Sequence, residues 1–214
     1  GGRLKATAAH QFHVRDSQTK FFEPRRLDQM SPGQWVRIAR GAVPSNPVPP
    51  SSVELADRDF GFLIGMLLGD GCYTETALSK NVVRVSSHAD EHEWNDVIRT
   101  ALEKIGCTSV SGYTNEGSRS LMLDPKPGRV AADWVKSTLL TPSKSINKFI
   151  PEEYLNSNAE FLLGLLDGLF STDGSVDLSS NHPLVRFHTG SPRLAEQVRL
   201  ALLSFGIHGR ICRS

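Results

Sequence analysis

The sequence predicts an α+β fold in which a short β-rich segment precedes two pseudo-symmetric half-domains, the second incomplete. Three observations lead there. Residues 3–40 alternate as strands do and show no helical period. A proline-dense stretch, Pro44-Ser45-Asn46-Pro47-Val48-Pro49-Pro50-Ser51-Ser52, can continue neither a helix nor an inner strand. Beyond it, one run of elements occurs twice at nearly constant spacing.

Taken in order, Leu4–Thr7 leads into Phe12–Val14 as strand, and Phe21-Phe22 and Trp35–Ile38 follow, with Ser31-Pro32-Gly33 as a turn. Residues 44–52 read as a linker. Residues 59–70 form a helix apolar on most faces, which predicts burial. Val82–Ser87 is a strand. Glu91–Ile105 is an amphipathic helix with Trp94, Val97, Ile98, Ala101, Leu102 and Ile105 on one side, ended by Gly106. Short strands are predicted near 108–113 and 119–123, and a further amphipathic helix over Arg129–Leu140. The second run has a helix at Ala159–Thr172, a strand at Leu184–Thr189 and a helix at Arg193–Phe205 stopped by Gly206. A strand then begins at Ile207–Arg213.

The repeat can be read residue by residue. Asp70-Gly71 recurs as Asp173-Gly174, 103 residues on; Val83-Arg84-Val85 recurs as Val185-Arg186-Phe187, 102 on; Gly106 recurs as Gly206, 100 on. Two related halves imply a pseudo-twofold axis.

Composition is that of an ordinary globular protein: 214 residues, 39% hydrophobic and 22% charged, with a net charge of +1. That total excludes a uniformly basic protein held to nucleic acid by bulk charge. It averages unlike regions, since residues 1–50 carry net +5, 51–110 net −5 and 111–214 net +1. No apolar run approaches the ~18 residues of a membrane span, so no membrane partner is expected. Cys72, Cys107 and Cys212 are too scattered for a disulfide framework or a zinc site, and they predict reduced thiols in the cytoplasm.

The chemistry is predicted to sit on the two apolar helices. Gly65 and Gly69 share one face at i, i+4, as do Gly168 and Thr172, so the helices can approach closely. Each ends in Asp-Gly, where glycine permits a left-handed stop. Packed along their small faces, the helices bring Asp70 and Asp173 side by side. Two carboxylates that close repel unless a cation lies between them. Mg²⁺ suits hard oxygen ligands and accepts phosphate oxygens, which points to metal-dependent phosphodiester hydrolysis.

These residues resemble the LAGLIDADG homing endonucleases, over about residues 53–214 and in both motif copies. The resemblance implies two αββαββα repeats (53–151, and an incomplete 152–214) acting as a pseudo-symmetric monomer on double-stranded DNA. It also implies that Asp70 and Asp173 are the metal-binding acids. Lys148-Phe149-Ile150-Pro151 is similar to the Lys-x-Ile-Pro block of intein endonucleases, which makes Lys148 the active-site lysine, with Lys144 as a nearby competitor. The polar strand faces would then meet the major groove. The candidates are Arg84, Ser86 and His88 in the first copy and Arg186 and His188 in the second, with Arg119 and Arg210 on further predicted strands.

Residues 1–43 resemble part of the Hint (Hedgehog/intein) splicing fold. Thr7-Ala8-Ala9-His10 is similar to its Thr-x-x-His block, and Leu27–Val36 to the following turn, with Gln34 where Asp is usual. The resemblance implies that His10 strains or protonates the amide at the upstream splice junction, with Thr7 assisting, and that flanking exteins are partners. The chain begins inside that block and stops at Cys212-Arg213-Ser214, within the first hairpin strand of the second repeat. It is therefore expected to be a fragment or one piece of a split protein. The alternatives are a non-catalytic DNA-binding module on the same helix pair, and a splicing protein with a degenerate endonuclease.

Overall fold

The computed structural model describes residues 6–15, 21–37, 58–74, 82–88, 90–104, 109–114, 120–126, 145–179 and 183–212. The expectations for Leu4-Lys5, the 44–52 linker, Arg119, the Arg129–Leu140 helix and Lys144 lie outside the described residues.

The N-terminal unit is an antiparallel pair, β1 (Gln11–Arg15) and β2 (Phe22–Arg26), with Gln11 opposite Arg26 and Arg15 opposite Phe22. Residues 35–37 flank β1 on its other side through one antiparallel bridge, Val14 to Val36. There Arg15 N donates to Trp35 O at 2.8 Å and Arg37 N to His13 O at 2.8 Å. Among the described residues β2 pairs only with β1, and such an edge is where Pro24 is tolerated. Val14, the buried residue of β1, anchors the unit. The Ser31-Pro32-Gly33 turn forms as expected, with Gly33 at φ 90°.

The main body begins with α1 (Arg58–Gly69), buried at every position from Phe60 to Gly69. It leads into β3 (Gly71–Thr74), β4 (Val82–His88), α2 (His92–Lys104), β5 (Ser109–Thr114) and β6 (Ser120–Lys126). The four strands form one antiparallel sheet in the order β3-β4-β6-β5. α2 packs its Ile98, Ala101 and Leu102 into the core, and Trp94 stacks on Phe62 of α1 at 4.9 Å.

The second run contains α3 (Glu152–Leu155), α4 (Ala159–Asp173), β7 (Gly174–Asp177), β8 (Leu184–Phe187) and α5 (Pro192–Ser204). Asn158 caps α4 by accepting from Phe161 N, and Ser191 caps α5 by accepting from Leu194 N, with Pro192 at the first helical position. Gly206, at φ 76°, ends α5 as the sequence predicts.

The centre of the molecule is the α1–α4 contact. Phe60 meets Phe161 at 5.9 Å, and Phe161 stacks on Tyr154 of α3 at 5.3 Å. Between the helices runs a glycine seam. A Cβ placed on Gly65 would lie 2.8 Å from Gly168 Cα and from Leu169 N, and one on Gly164 would lie 2.8 Å from the Arg58 carbonyl carbon. Backbone meets backbone there, so no side chain fits. The sequence reading named Gly65, Gly69, Gly168 and Thr172, and the structure adds Gly61 and Gly164 to the seam. Arg58 and Asp167 tie the two helices at its outer end, 2.6 Å apart.

The repeat is visible in strand register. Gly71 pairs with Val85, and Gly174 pairs with Phe187. These are equivalent positions in the two copies. Hydrophobic patterning predicts one strand after each motif helix; the structure has two, because β3 and β7 begin at the glycine itself and return against β4 and β8. Both are only four residues long, too short for alternation to reveal.

Three expectations are corrected. Residues 6–10 are not strand: His10 N donates to Thr7 O at 3.0 Å, Asp28 N to Ala8 O at 3.1 Å and Leu27 N to His10 O at 2.9 Å, so this segment is a turn tied to 27–28. Residues 207–212 are also not strand. In the first copy the matching β5 is held by β6, whereas 207–212 meet no such ladder partner among the described residues. Arg210 accordingly sits in an exposed irregular segment rather than on a sheet. Finally, the glycine after each acid is not left-handed, Gly174 having φ −87°. Glycine is required for room: a Cβ on Gly71 would lie 2.6 Å from Leu67 Cα, and one on Gly174 2.9 Å from Phe170 Cα.

Candidate functional site

α1 and α4 converge at their C-terminal ends, and the last residue of each motif is an aspartate. Asp70 N donates to Met66 O at 2.9 Å, so the helical path of α1 continues to the acid. Asp173 is the last residue of α4. Packing holds the two ends together: Gly69 lies against Thr172, whose Oγ1 donates back to Leu169 O at 2.9 Å. The alignment of the helix ends therefore depends on the seam below them.

Burial pushes the Asp70 carboxyl above the ordinary range, and the charge of Asp173 pushes it further; Lys148 opposes both effects. Burial likewise raises Asp173, against the opposing charges of Lys148 and His188. Asp70 is open to solvent as a residue, but the neighbouring helix end shields its carboxyl. The pair thus resists holding two negative charges at once, the condition in which a cation is favoured.

Lys148 reaches this pair. It is half-buried, and its Nζ donates to the carbonyl oxygen of Gly69, at the C-terminus of α1. The ammonium is thereby placed one residue from Asp70 without forming an ion pair with it. Its main chain is secured by α5: the Ser191 hydroxyl donates to Lys148 O at 2.6 Å.

His188, read from sequence as a groove-facing strand residue, lies beside the acids. Its N donates to Asp173 O at 3.0 Å, and its Nε2 is 3.1 Å from Ser175 Oγ. Arg186 pairs with Asp177 at 2.8 Å on the exposed face of the β7–β8 hairpin. Asp177 also accepts from Ser179 Oγ and Ser179 N. Those bonds, then Arg186, pull it down to about 2. Arg84, Ser86 and His88 occupy alternate positions of β4, opposite Cys72, Met122 and Ser120 and out of step with the buried Val85.

Thr7 and His10 are brought together at the two ends of their turn. Both are exposed, and the His10 ring rests on Phe12 at 4.8 Å. Sequence reasoning did not find Ser191 and Gln197. Ser191-Pro192 was legible as a helix start, but nothing in the sequence says what its hydroxyl holds. Among the described residues no group of three or more His, Cys, Asp or Glu side chains gathers as a metal cage. No helix among them is long and apolar enough to cross a membrane.

Residues 160–214 match the family model of a LAGLIDADG-like domain. Over its whole length the chain is similar to the replicative DNA helicase DnaB of Synechocystis sp., 26% identical over 224 residues, covering 100% of this chain and 24% of that protein. It is also similar to a DNA polymerase of Thermococcus hydrothermalis, 28% identical over 192 residues, covering 85% of this chain and 11% of the polymerase. The chain thus spans about a quarter or less of these curated relatives. Among solved structures, one from work on mesophilic variants of the homing endonuclease I-DmoI superposes with a TM-score of 0.50 at 12% identity, covering 72% of this chain and 79% of that one. Residues 160–214 therefore resemble a LAGLIDADG-like domain, and the chain shares the α+β fold of that solved structure.

Proposed function

We propose that this chain is an intein segment whose main body is a site-specific endonuclease for double-stranded DNA, working as a pseudo-symmetric monomer. What carries this reading is the meeting of Asp70, Asp173 and Lys148 at one end of a helix pair packed backbone to backbone. A core helix pair has no use for two desolvated acids and a lysine at the same end.

The donor set fits a hard divalent ion such as Mg²⁺. Two carboxylate oxygen donors, both raised by burial and Asp70 further by the charge of Asp173, leave positions for water and phosphate oxygens. Asp70 and Asp173 would hold the ion, which supplies positive charge to the scissile phosphate and acidity to a water. The protein's own residues do the rest. One acid comes from each half, so each would face one strand of a duplex lying across the pseudo-twofold axis. Lys148, held on the Gly69 carbonyl, offers a fixed positive charge to the phosphate oxygens as their charge grows. His188 steadies the Asp173 end through the Asp173 carbonyl, and its ring, 3.1 Å from Ser175 Oγ, is a proposed phosphate contact. Arg84, Ser86, His88, Arg119, Arg186 and Arg210 are the proposed groove and phosphate contacts.

The intein reading is supported by the pattern of relatives. One stretch of this length aligns inside a helicase and inside a polymerase, covering 24% and 11% of them. An element inserted into unrelated hosts would produce that pattern. Thr7 and His10 would act at its upstream junction, with flanking exteins as partners, in a reducing cytoplasm.

The test is cleavage of the uninterrupted host coding sequence by the full precursor with Mg²⁺. Asp70→Asn and Asp173→Asn should each abolish cleavage and leave DNA binding intact. Undiminished cleavage in either variant would sink the assignment.

A further inference from the structure

The segment Lys148-Phe149-Ile150-Pro151 lies against the first turns of α5, and every residue from 148 to 150 is gripped there. The Ser191 hydroxyl donates to Lys148 O at 2.6 Å while accepting from Leu194 N at 3.1 Å. The Arg193 guanidinium stands 4.1 Å from the centre of the Phe149 ring. The Gln197 side-chain amide makes a two-point contact with Ile150: Ile150 N donates to Oε1 at 2.8 Å, and Nε2 donates to Ile150 O at 2.6 Å. A primary amide is suited to this, since it carries donor and acceptor in one plane, as a neighbouring strand would. Ser191 is 1% exposed, so its hydroxyl has no water to fall back on.

We infer that Ser191 and Gln197 are positioning residues for Lys148, acting through its backbone. This rests on the nuclease reading above. The lysine side chain is long and has rotamers to lose. Its Nζ stays on the Gly69 carbonyl because both ends of its stem are fixed, one by α1 and the other by α5. The second half-domain thereby holds a lysine of the first in place at the first half's helix end. Ser191 does this with a group that already caps α5, and Ser191 N in turn donates to Thr189 Oγ1 at 3.1 Å, beside His188. One residue therefore joins the lysine and the helix start through its hydroxyl, and the strand end next to Asp173 through its backbone N–H.

The chemistry of the two groups separates positioning from stability. Ser191→Asp keeps the helix cap, because aspartate caps as well as serine, but it cannot donate to Lys148 O. Ser191→Thr keeps both functions. Gln197→Glu keeps the acceptor for Ile150 N and loses the donor. The full chain is treated with limiting acetic anhydride, and acetylation of Lys148 is read by peptide mass spectrometry relative to the other lysines, with circular dichroism as the folding check. Ser191→Asp and Gln197→Glu should each raise Lys148 labelling about two- to tenfold, the effect of losing one hydrogen bond, and Ser191→Thr should not. Unchanged labelling in both folded variants overturns the inference whether or not the wild type cleaves DNA. Faster labelling with a lowered kcat and an unchanged KM for DNA supports it. Faster labelling with unchanged kcat in a cleaving enzyme overturns the positioning role. Faster labelling with no cleavage by wild type leaves the clamp standing and removes the nuclease reading.

Discussion

Gly65→Ala is the sharpest test of how the fold sets the site. The added Cβ would lie 2.8 Å from Gly168 Cα and 2.8 Å from Leu169 N. Relaxed carbon contacts are about 3.5–4.0 Å, so the helices must separate by at least about 0.7–1.2 Å, and the Leu165 carbonyl oxygen stands closer still. The opposing atoms are backbone and cannot rotate away. Overpacking costs typically about 1–3 kcal/mol, and rigid neighbours put this case at the upper end. Alanine returns about 1 kcal/mol through its better helix propensity. The net loss is about 2 kcal/mol, or a fall in Tm of about 4–8 °C for a chain of this size. The same separation acts on Asp70, one turn further along α1, and misplacement by about 1 Å costs about 10²-fold in rate. Urea unfolding reads the first effect and cleavage under single-turnover conditions the second. Gly209→Ala is the control, since its Cβ would meet only Arg199 Cγ and Leu202 Cδ1, both at 3.7 Å. If Gly65→Ala unfolds at the wild-type urea midpoint, the seam is not tight. If it is destabilised but cleaves normally, the seam does not set the acid spacing.

Further outcomes are expected. Asp70 and Asp173 have raised folded pKa values, so above the ordinary carboxylate value of about 3.9 the folded state binds more protons than the unfolded. Stability contributed by protonation is then present at low pH and lost as pH rises through the folded pKa. Metal-free Asp70→Asn should accordingly gain melting temperature over wild type at pH 7 and lose that advantage toward pH 4; a constant difference across this range would refute the electrostatic account. Asp177→Asn removes the partner of Arg186 and one negative charge from the exposed hairpin face. An exposed pair contributes little, so DNA binding by fluorescence anisotropy should tighten only modestly, and weaker binding would refute the assignment of Arg186 to DNA. In a full precursor with both exteins, His10→Ala should slow formation of the upstream thioester; splicing at the wild-type rate would remove the Hint reading of the N-terminal turn.

The long helices and their glycine faces were legible because a 3.6-residue period with small residues at i, i+4 leaves a strong imprint over twelve to fifteen positions. The two acids followed from the repeat alone. β3 and β7 were not legible, since four residues starting from glycine carry too little alternation, and their existence is dictated by β4 and β8 across the pair. His188 shows a different limit. Alternation fixed its face of the strand, but its nearness to Asp173 depends on the hairpin register, which no local pattern encodes. Lys148 could be singled out by its block, yet the grip of Ser191 and Gln197 joins residues 43 and 47 positions apart and leaves no local trace. Residues 207–212 failed the other way: a strand-like composition forms no strand where no neighbour among the described residues completes the ladder.

The equivalent pairs Gly71–Val85 and Gly174–Phe187 enclose spans that differ by one residue, the second being shorter. Pairing begins beside the acid in both copies, so the difference is absorbed at the hairpin tip. A one-residue slip along a strand would turn every side chain to the opposite face, whereas a change at the tip costs little closure entropy. These hairpins behave like rulers zeroed at the carboxylates. Their far ends can grow, shrink or change composition over evolutionary time while the zero mark stays in place. Engineering aimed at a different surface on this scaffold should therefore start at residues 75–81 and 178–183, and should count outward from the acid.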